Sequence, residues 1–123
     1  MIHLSNRSFK RLSIGYFVAL ALLMWLPLGG VSLNNYVFGL RADHLLHASV
    51  YLPCALAWSW LFPSRRWLWW LLSVLTGIVF ELVQYWLPYR GFDVSDLAAN
   101  FIGVTFGWLL LWWHRHPSHN DLP

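Results

Sequence analysis

Four hydrophobic stretches, each close to the roughly 20 residues that cross a bilayer core, constrain this chain more than any other feature. They run from about Leu12 to Val31, His44 to Phe62, Trp67 to Leu87 and Leu97 to Trp113. Pro63 closes the second, Pro88 the third, and a polar tail ending Ser118-His119-Asn120-Asp121 follows the fourth. Composition agrees with a lipid solvent: 59% of the residues are hydrophobic and 11% charged, against about 45–50% and about 25% in soluble domains. A soluble fold of this length has too little interior to bury so much apolar surface. The ten tryptophans fit the same setting, because indole rings favour the membrane–water boundary.

The chain, 1–123, is therefore read as one domain. Its expected fold class is an all-α integral membrane protein, an antiparallel four-helix transmembrane bundle. A nucleic-acid surface is not expected, since no Lys/Arg run is long enough to form one and the aromatics lie inside apolar stretches. Cys54 is the single cysteine, so no intrachain disulfide forms, and its apolar surroundings make it a packing residue. The first stretch is preceded by Arg7, Lys10 and Arg11, as in a signal peptide. Its length exceeds the ~7–15 residues of a signal's apolar region, and Leu28-Gly29-Gly30-Val31-Ser32 is a poor cleavage site. A retained anchor is expected.

Basic residues set the orientation. Arg7, Lys10, Arg11, Arg65, Arg66 and Arg115 fall on one side, Arg41 and Arg90 on the other. The positive-inside rule then places both termini in the cytoplasm and turns the 32–43 and 88–96 loops outward. Pro53 is expected to kink the second helix, with the freed carbonyl satisfied by neighbours. The first outer loop, with Asn34, Asn35, Tyr36 and Phe38, is expected to lie partly in the interface.

Polar residues inside the stretches share helical faces. Asp93, Asp96, Asn100, Gly103 and Gly107 are spaced by three, four, three and four, which stacks them on one side of a helix. Ser73, Gly77, Glu81 and Gln84 do the same, and Asp43, His47 and Tyr51 recur every four residues with His44 alongside. Three helices are thus expected to face one another, small residues packing closely in the inner half and bulkier polar groups converging in the outer half. Glu81 lies about 9 Å of rise inside its helix end. A carboxylate at a helix centre costs about 2.5–3.5 kcal/mol on insertion scales, so it requires a partner or water. Arg90, His47 and His44 are the cationic or switchable candidates, and Gln84 and Asn100 the hydrogen-bond donors. A plainer reading stays open: Asp93, Asp96 and Arg90 form a solvated loop, with Asp93 or Ser95 capping the last helix. His114, His116 and His119 read as a flexible tail rather than a metal site.

These residues resemble the pattern of the VanZ-like family. Its first signature, an Asp, a basic residue, a His three positions later and a Tyr, reads here Asp43-His44-Leu45-Leu46-His47-Ala48-Ser49-Val50-Tyr51. Its second, Glu-x-x-Gln, an Arg, an acidic turn and Asp-x-x-x-Asn-x-x-Gly-x-x-x-Gly, reads Glu81, Gln84, Arg90, Asp93, Asp96, Asn100, Gly103 and Gly107. The resemblance spans about Asp43 to Gly107. It departs from the pattern at His44, where lysine is usual, replacing a permanent cation by an imidazole whose charge depends on pH. It implies a bacterial inner-membrane protein of the cell envelope, with family members linked to teicoplanin resistance, and it brings no settled reaction.

Function classes can be ranked on the residues. An outward polar site of Asp43, His44, His47, Tyr51, Glu81, Gln84, Arg90, Asp93, Asp96 and Asn100, ringed by aromatics, suits an amphiphile. The partners expected are membrane lipids, a lipid-linked envelope precursor or a membrane protein, with Arg41 or Arg90 meeting a phosphate. The alternative is a membrane-embedded enzyme acting on a lipid-linked or cell-wall substrate, with Glu81, Asp96 and His47 as acid–base groups or metal ligands. The chain carries no His-Glu-x-x-His, nucleophile elbow, Walker loop or Cys-x-x-Cys, and spacing names no cofactor. A carrier fits less well, since the inner half lacks a matching relay.

Overall fold

The computed structural model describes residues 5–26, 36–63 and 65–115. Asn34, Asn35, His116 and His119, and the 28–32 segment weighed as a cleavage site, lie outside the described residues. Helix dominates. α1 spans Asn6–Trp25, α2 Ala42–Tyr51, α3 Cys54–Leu61, α4 Arg66–Trp86 and α5 Val94–His114. α1, α4 and α5 are each long and apolar enough to cross a membrane.

α1 starts earlier than the apolar run suggests. Ser5 caps it, its side chain accepting the Ser8 N–H at 3.3 Å, so Arg7, Lys10 and Arg11 stand on exposed helical turns. It also stops earlier, because Leu26 precedes Pro27 and takes the extended conformation such a residue prefers. An antiparallel two-residue hairpin precedes α2, pairing Tyr36 with Arg41 and Val37 with Leu40. Phe38 and Gly39 form its turn, both with positive φ, as a tight hairpin turn demands.

The second apolar stretch is interrupted at Pro53 into α2 and α3, with Leu52 and Pro53 still in helical φ/ψ, and neither piece alone reaches the length of a span. Pro53 has no N–H to continue α2. The Ser49 carbonyl takes the Leu52 N–H at 3.3 Å instead, and the Val50 carbonyl accepts the Tyr16 hydroxyl at 2.6 Å. Polar groups on other helices satisfy what the break exposes, as a membrane interior requires. Ser13 bonds the Ala57 carbonyl at 2.9 Å, tying α1 to α3. Trp58 donates to Thr76 and Trp70 to Thr105, each at 3.1 Å, so these indole N–H groups are paired.

The polar stripes turn inward. Ser73, Gly77, Glu81 and Gln84 are buried on α4, Asp96, Asn100, Gly103 and Gly107 on α5, and His47 and Tyr51 on α2. Beneath them lies an apolar core of Leu20, Met24, Tyr51, Cys54 and Val104. α5 lies directly on the α2 backbone: a Cβ on Gly103 would collide with the Ala48 carbonyl, and one on Gly107 with that of Leu52. Gly77 is different, since a Cβ there would meet Asn100 Cβ at 3.4 Å, an ordinary contact.

Gly103→Ala and Gly107→Ala should therefore each lower stability by about 1–3 kcal/mol, the usual cost of overpacking. Gly77→Ala should be nearly neutral. Equilibrium unfolding in detergent measures the difference, and wild-type stability in Gly103→Ala would contradict the close α2–α5 approach.

Candidate functional site

α2 and α5 bring their N-termini together, and both carry an acidic residue in the first turn, Asp43 and Asp96. A helix N-terminus presents unpaired N–H groups and a partial positive charge, so each favours the carboxylate it holds. Asp93 caps α5, its Oδ1 accepting the Ser95 N–H at 2.8 Å. The capping role open from sequence is therefore filled by Asp93.

The cluster deepens from a mouth to a floor. At the mouth Arg41 reaches Asp43 at 3.6 Å and Asp93 at 3.8 Å, with all three side chains partly exposed. At the floor lie Asp96 and His47, with Asn100 and Glu81 each about 1% exposed. His47 Nδ1 is 2.7 Å from Asn100 Oδ1, so the ring N–H donates to the amide oxygen. That bond turns Nε2 toward Asp43 Oδ1 and Asp96 Oδ2, both 3.7 Å away. His44 Nε2 faces the other oxygen of the same carboxylate, Asp96 Oδ1, at 3.5 Å. Two sets, Asp43–His47–Asp96 and His44–Asp93–Asp96, hold their potential metal-ligand atoms within 4.8 Å of one another.

Burial leaves several polar atoms without hydrogen bonds: His44 Nε2, Tyr51 Oη, Glu81 Oε1, Asp96 Oδ1 and Asn100 Nδ2. Glu81 points into the bundle, with His47 and Asp96 nearby. Native proteins rarely leave buried polar atoms unpaired, and functional sites are where they do. Chemically, the arrangement offers a positioned imidazole, carboxylates on both sides of it, and further acid and hydroxyl groups below.

An apolar groove of about 410 Å³ runs between α4 and α5, bounded by Val74, Ile78, Leu97, Phe101 and Val104. Asn100 lines it too, so the residue that orients His47 also borders the groove. Phe101, on its wall, packs edge-on against Trp70 with ring centroids 5.8 Å apart.

The family model described as VanZ/LLP1 matches residues 5–115. The chain belongs to the VanZ/LLP1 family. With three membrane-length helices among the described residues, it is a multi-pass membrane protein. No curated protein and no solved structure is similar enough to count as a match.

Of the ten candidate residues of this VanZ/LLP1 chain, Asp43, His44, His47, Asp93, Asp96 and Asn100 meet directly, and Tyr51 and Glu81 adjoin them. Gln84 and Arg90 are turned elsewhere. Gln84 donates to the Met24 carbonyl at 2.7 Å, and Arg90 to those of Leu23 and Leu26 at 3.4 and 2.9 Å. The Tyr89 hydroxyl donates to the Trp25 carbonyl at 2.6 Å. These four are the last carbonyls of α1 and its cap, which a helix leaves without internal partners. Arg41 joins the cluster although it was absent from the ten; its place just before Asp43 was the available signal.

Gln84→Ala and Arg90→Ala should each weaken the docking of α1 by about 1–3 kcal/mol, since each strips a carbonyl of its donor. Neither should change ligand retention by the cluster. Unfolding in detergent combined with a binding assay separates the two effects, and loss of binding at unchanged stability would return Arg90 to the site.

Proposed function

We propose that this chain is a four-span protein of the bacterial cytoplasmic membrane that binds an amphiphile, a lipid or lipid-linked envelope precursor. The acyl or isoprenoid chain lies in the α4–α5 groove and the headgroup at the cluster. One observation carries the reading: Asn100 lines the apolar groove and hydrogen-bonds His47. A single molecule seated there touches apolar wall and acid–base groups together.

Four antiparallel spans are supported by the pairings at the two ends. Arg66 bonds the Arg115 carbonyl at 3.1 Å, whereas Trp25 meets Phe80 at the other end with ring centroids 4.7 Å apart. α2 and α3 together then make the remaining crossing, 10 and 8 residues on either side of the break. Arg7, Lys10, Arg11, Arg65, Arg66 and Arg115 gather at the end assigned to the cytoplasm. Reporter fusions after Pro63 should read cytoplasmic and those at Phe92 external. A cytoplasmic Phe92 would reverse the site's leaflet.

The second reading, an enzyme working on the same headgroup, is favoured by the His47 geometry. A hydrogen bond on Nδ1 fixes the ring and leaves Nε2 beside Asp43 and Asp96, an arrangement suited to moving a proton. Glu81 adds a further acid. A link to teicoplanin resistance follows the family resemblance: an outer-leaflet site meets a membrane-anchored glycopeptide.

Ala98 is exposed and lines the groove, so Ala98→Trp should fill it without disturbing the core. Native mass spectrometry of protein in mild detergent should show at least about tenfold less co-purified lipid than wild type, roughly 1.4 kcal/mol of binding. Expressed in a Gram-positive host, the variant should also lose any effect on teicoplanin sensitivity. Equal lipid retention would remove the groove from the function. Conversion of a retained lipid over time, lost in His47→Gln, would favour the enzyme.

A further inference from the structure

We propose that the cluster binds two divalent metal ions, with the Asp96 carboxylate bridging them. One ion is held by Asp43, His47 and Asp96, the other by His44, Asp93 and Asp96. The two sets share one residue but not one atom: Asp96 Oδ2 faces His47 and Oδ1 faces His44. A carboxylate that presents its two oxygens to two imidazoles is disposed as a bridge.

The separations point the same way. N···O distances of 3.5–3.7 Å are too long for hydrogen bonds, which centre near about 2.9 Å. They suit ligands of one ion, since atoms about 2.1 Å from a tetrahedral centre lie roughly 3.4 Å apart. Asp96 Oδ1 and His44 Nε2 are both shut off from solvent and without hydrogen-bond partners, and Asp96 as a whole is 8% exposed. Two unpaired buried atoms thus face each other across a gap of ligand–ligand width.

His47 supplies an independent argument. Its Nδ1–H donates to Asn100, so in the neutral ring the Nε2 lone pair is directed at two carboxylate oxygens. A cation there turns repulsion into coordination, and an outer hydrogen bond that fixes the distal nitrogen is the usual support of a metal-binding histidine. Imidazole with carboxylate favours Zn²⁺ or Mn²⁺ over soft Cu⁺ or all-oxygen Ca²⁺ sites. Three protein ligands per ion leave positions for water or a substrate oxygen. Paired ions about 3.5–4 Å apart would serve both oxygens of a displacement at phosphorus.

Ion occupancy is read without added lipid, so it and the amphiphile reading can fail separately. Chelator-treated full-length protein in detergent is loaded with Mn²⁺ and desalted. Wild type should retain two ions per chain and give the electron paramagnetic resonance spectrum of an exchange-coupled pair. His44→Ala should keep one ion with an isolated Mn²⁺ spectrum, Asp96→Asn fewer than one, and His114→Ala two coupled ions. Wild type binding no Mn²⁺, one ion, or two uncoupled ions overturns the proposal, as does a coupled pair in folded His44→Ala. Should a variant fail to elute as folded protein, the wild-type stoichiometry and coupling still decide.

Discussion

Carboxylates set among transmembrane helices are costly, and the rest of this structure is arranged around that cost. Asp43, Asp93, Asp96 and Glu81 stand together where α2, α4 and α5 meet. Each would oppose insertion by about 2.5–3.5 kcal/mol if left alone at a helix centre, and less near the boundary. The fold offsets this in three ways. The N-termini of α2 and α5 point at the group, Arg41 spans Asp43 and Asp93, and two imidazoles lie against Asp96. The His47–Asn100 bond holds the centre of this arrangement, because it decides which ring nitrogen meets the acids.

Bringing two like-charged helix starts so close requires their axes to approach without side chains between them. Gly103 and Gly107 provide that, letting α5 rest on the carbonyls of Ala48 and Leu52. The helix break at Pro53 belongs to the same solution. It frees backbone groups that Tyr16 and Leu52 then satisfy, and it lies beside Leu52, whose carbonyl meets Gly107. Packing around the glycines and charge at the helix starts are therefore one design: removing the close approach would pull Asp96 away from His47.

The inward faces were legible in the sequence because a helix imposes its period on every side chain. Spacings of three and four brought Asp96, Asn100, Gly103 and Gly107 to one buried stripe, and the same rule placed Glu81 and His47. What periodicity lacks is the identity of the partner. Gln84 and Arg90 share the chemistry expected of site residues, yet their acceptors are backbone carbonyls at the end of α1. A carbonyl leaves no mark in a sequence, so such a cap is invisible there. Ser13 meeting the Ala57 carbonyl was hidden for the same reason. Pro53 announced the interruption; that Tyr16 would stand opposite and satisfy the Val50 carbonyl is something no local pattern reveals.

The sign of the field limits what can occupy the site. Among the described residues, Arg41 is the fixed cation placed between two of the four carboxylates, so a bare phosphate entering from the mouth meets excess negative charge. Helix N-termini contribute only about half an elementary charge each, too little to reverse it. An anionic headgroup can therefore settle only with positive charge already in place, whether on the imidazoles or as bound ions. A sugar hydroxyl or an ammonium faces no such barrier. The groove adds a second condition, since its wall is apolar apart from Ser73 and Asn100. On the proposed reading, these two conditions favour a molecule with a long apolar portion and a headgroup compatible with carboxylates, and Asn100 stands where the groove meets the cluster.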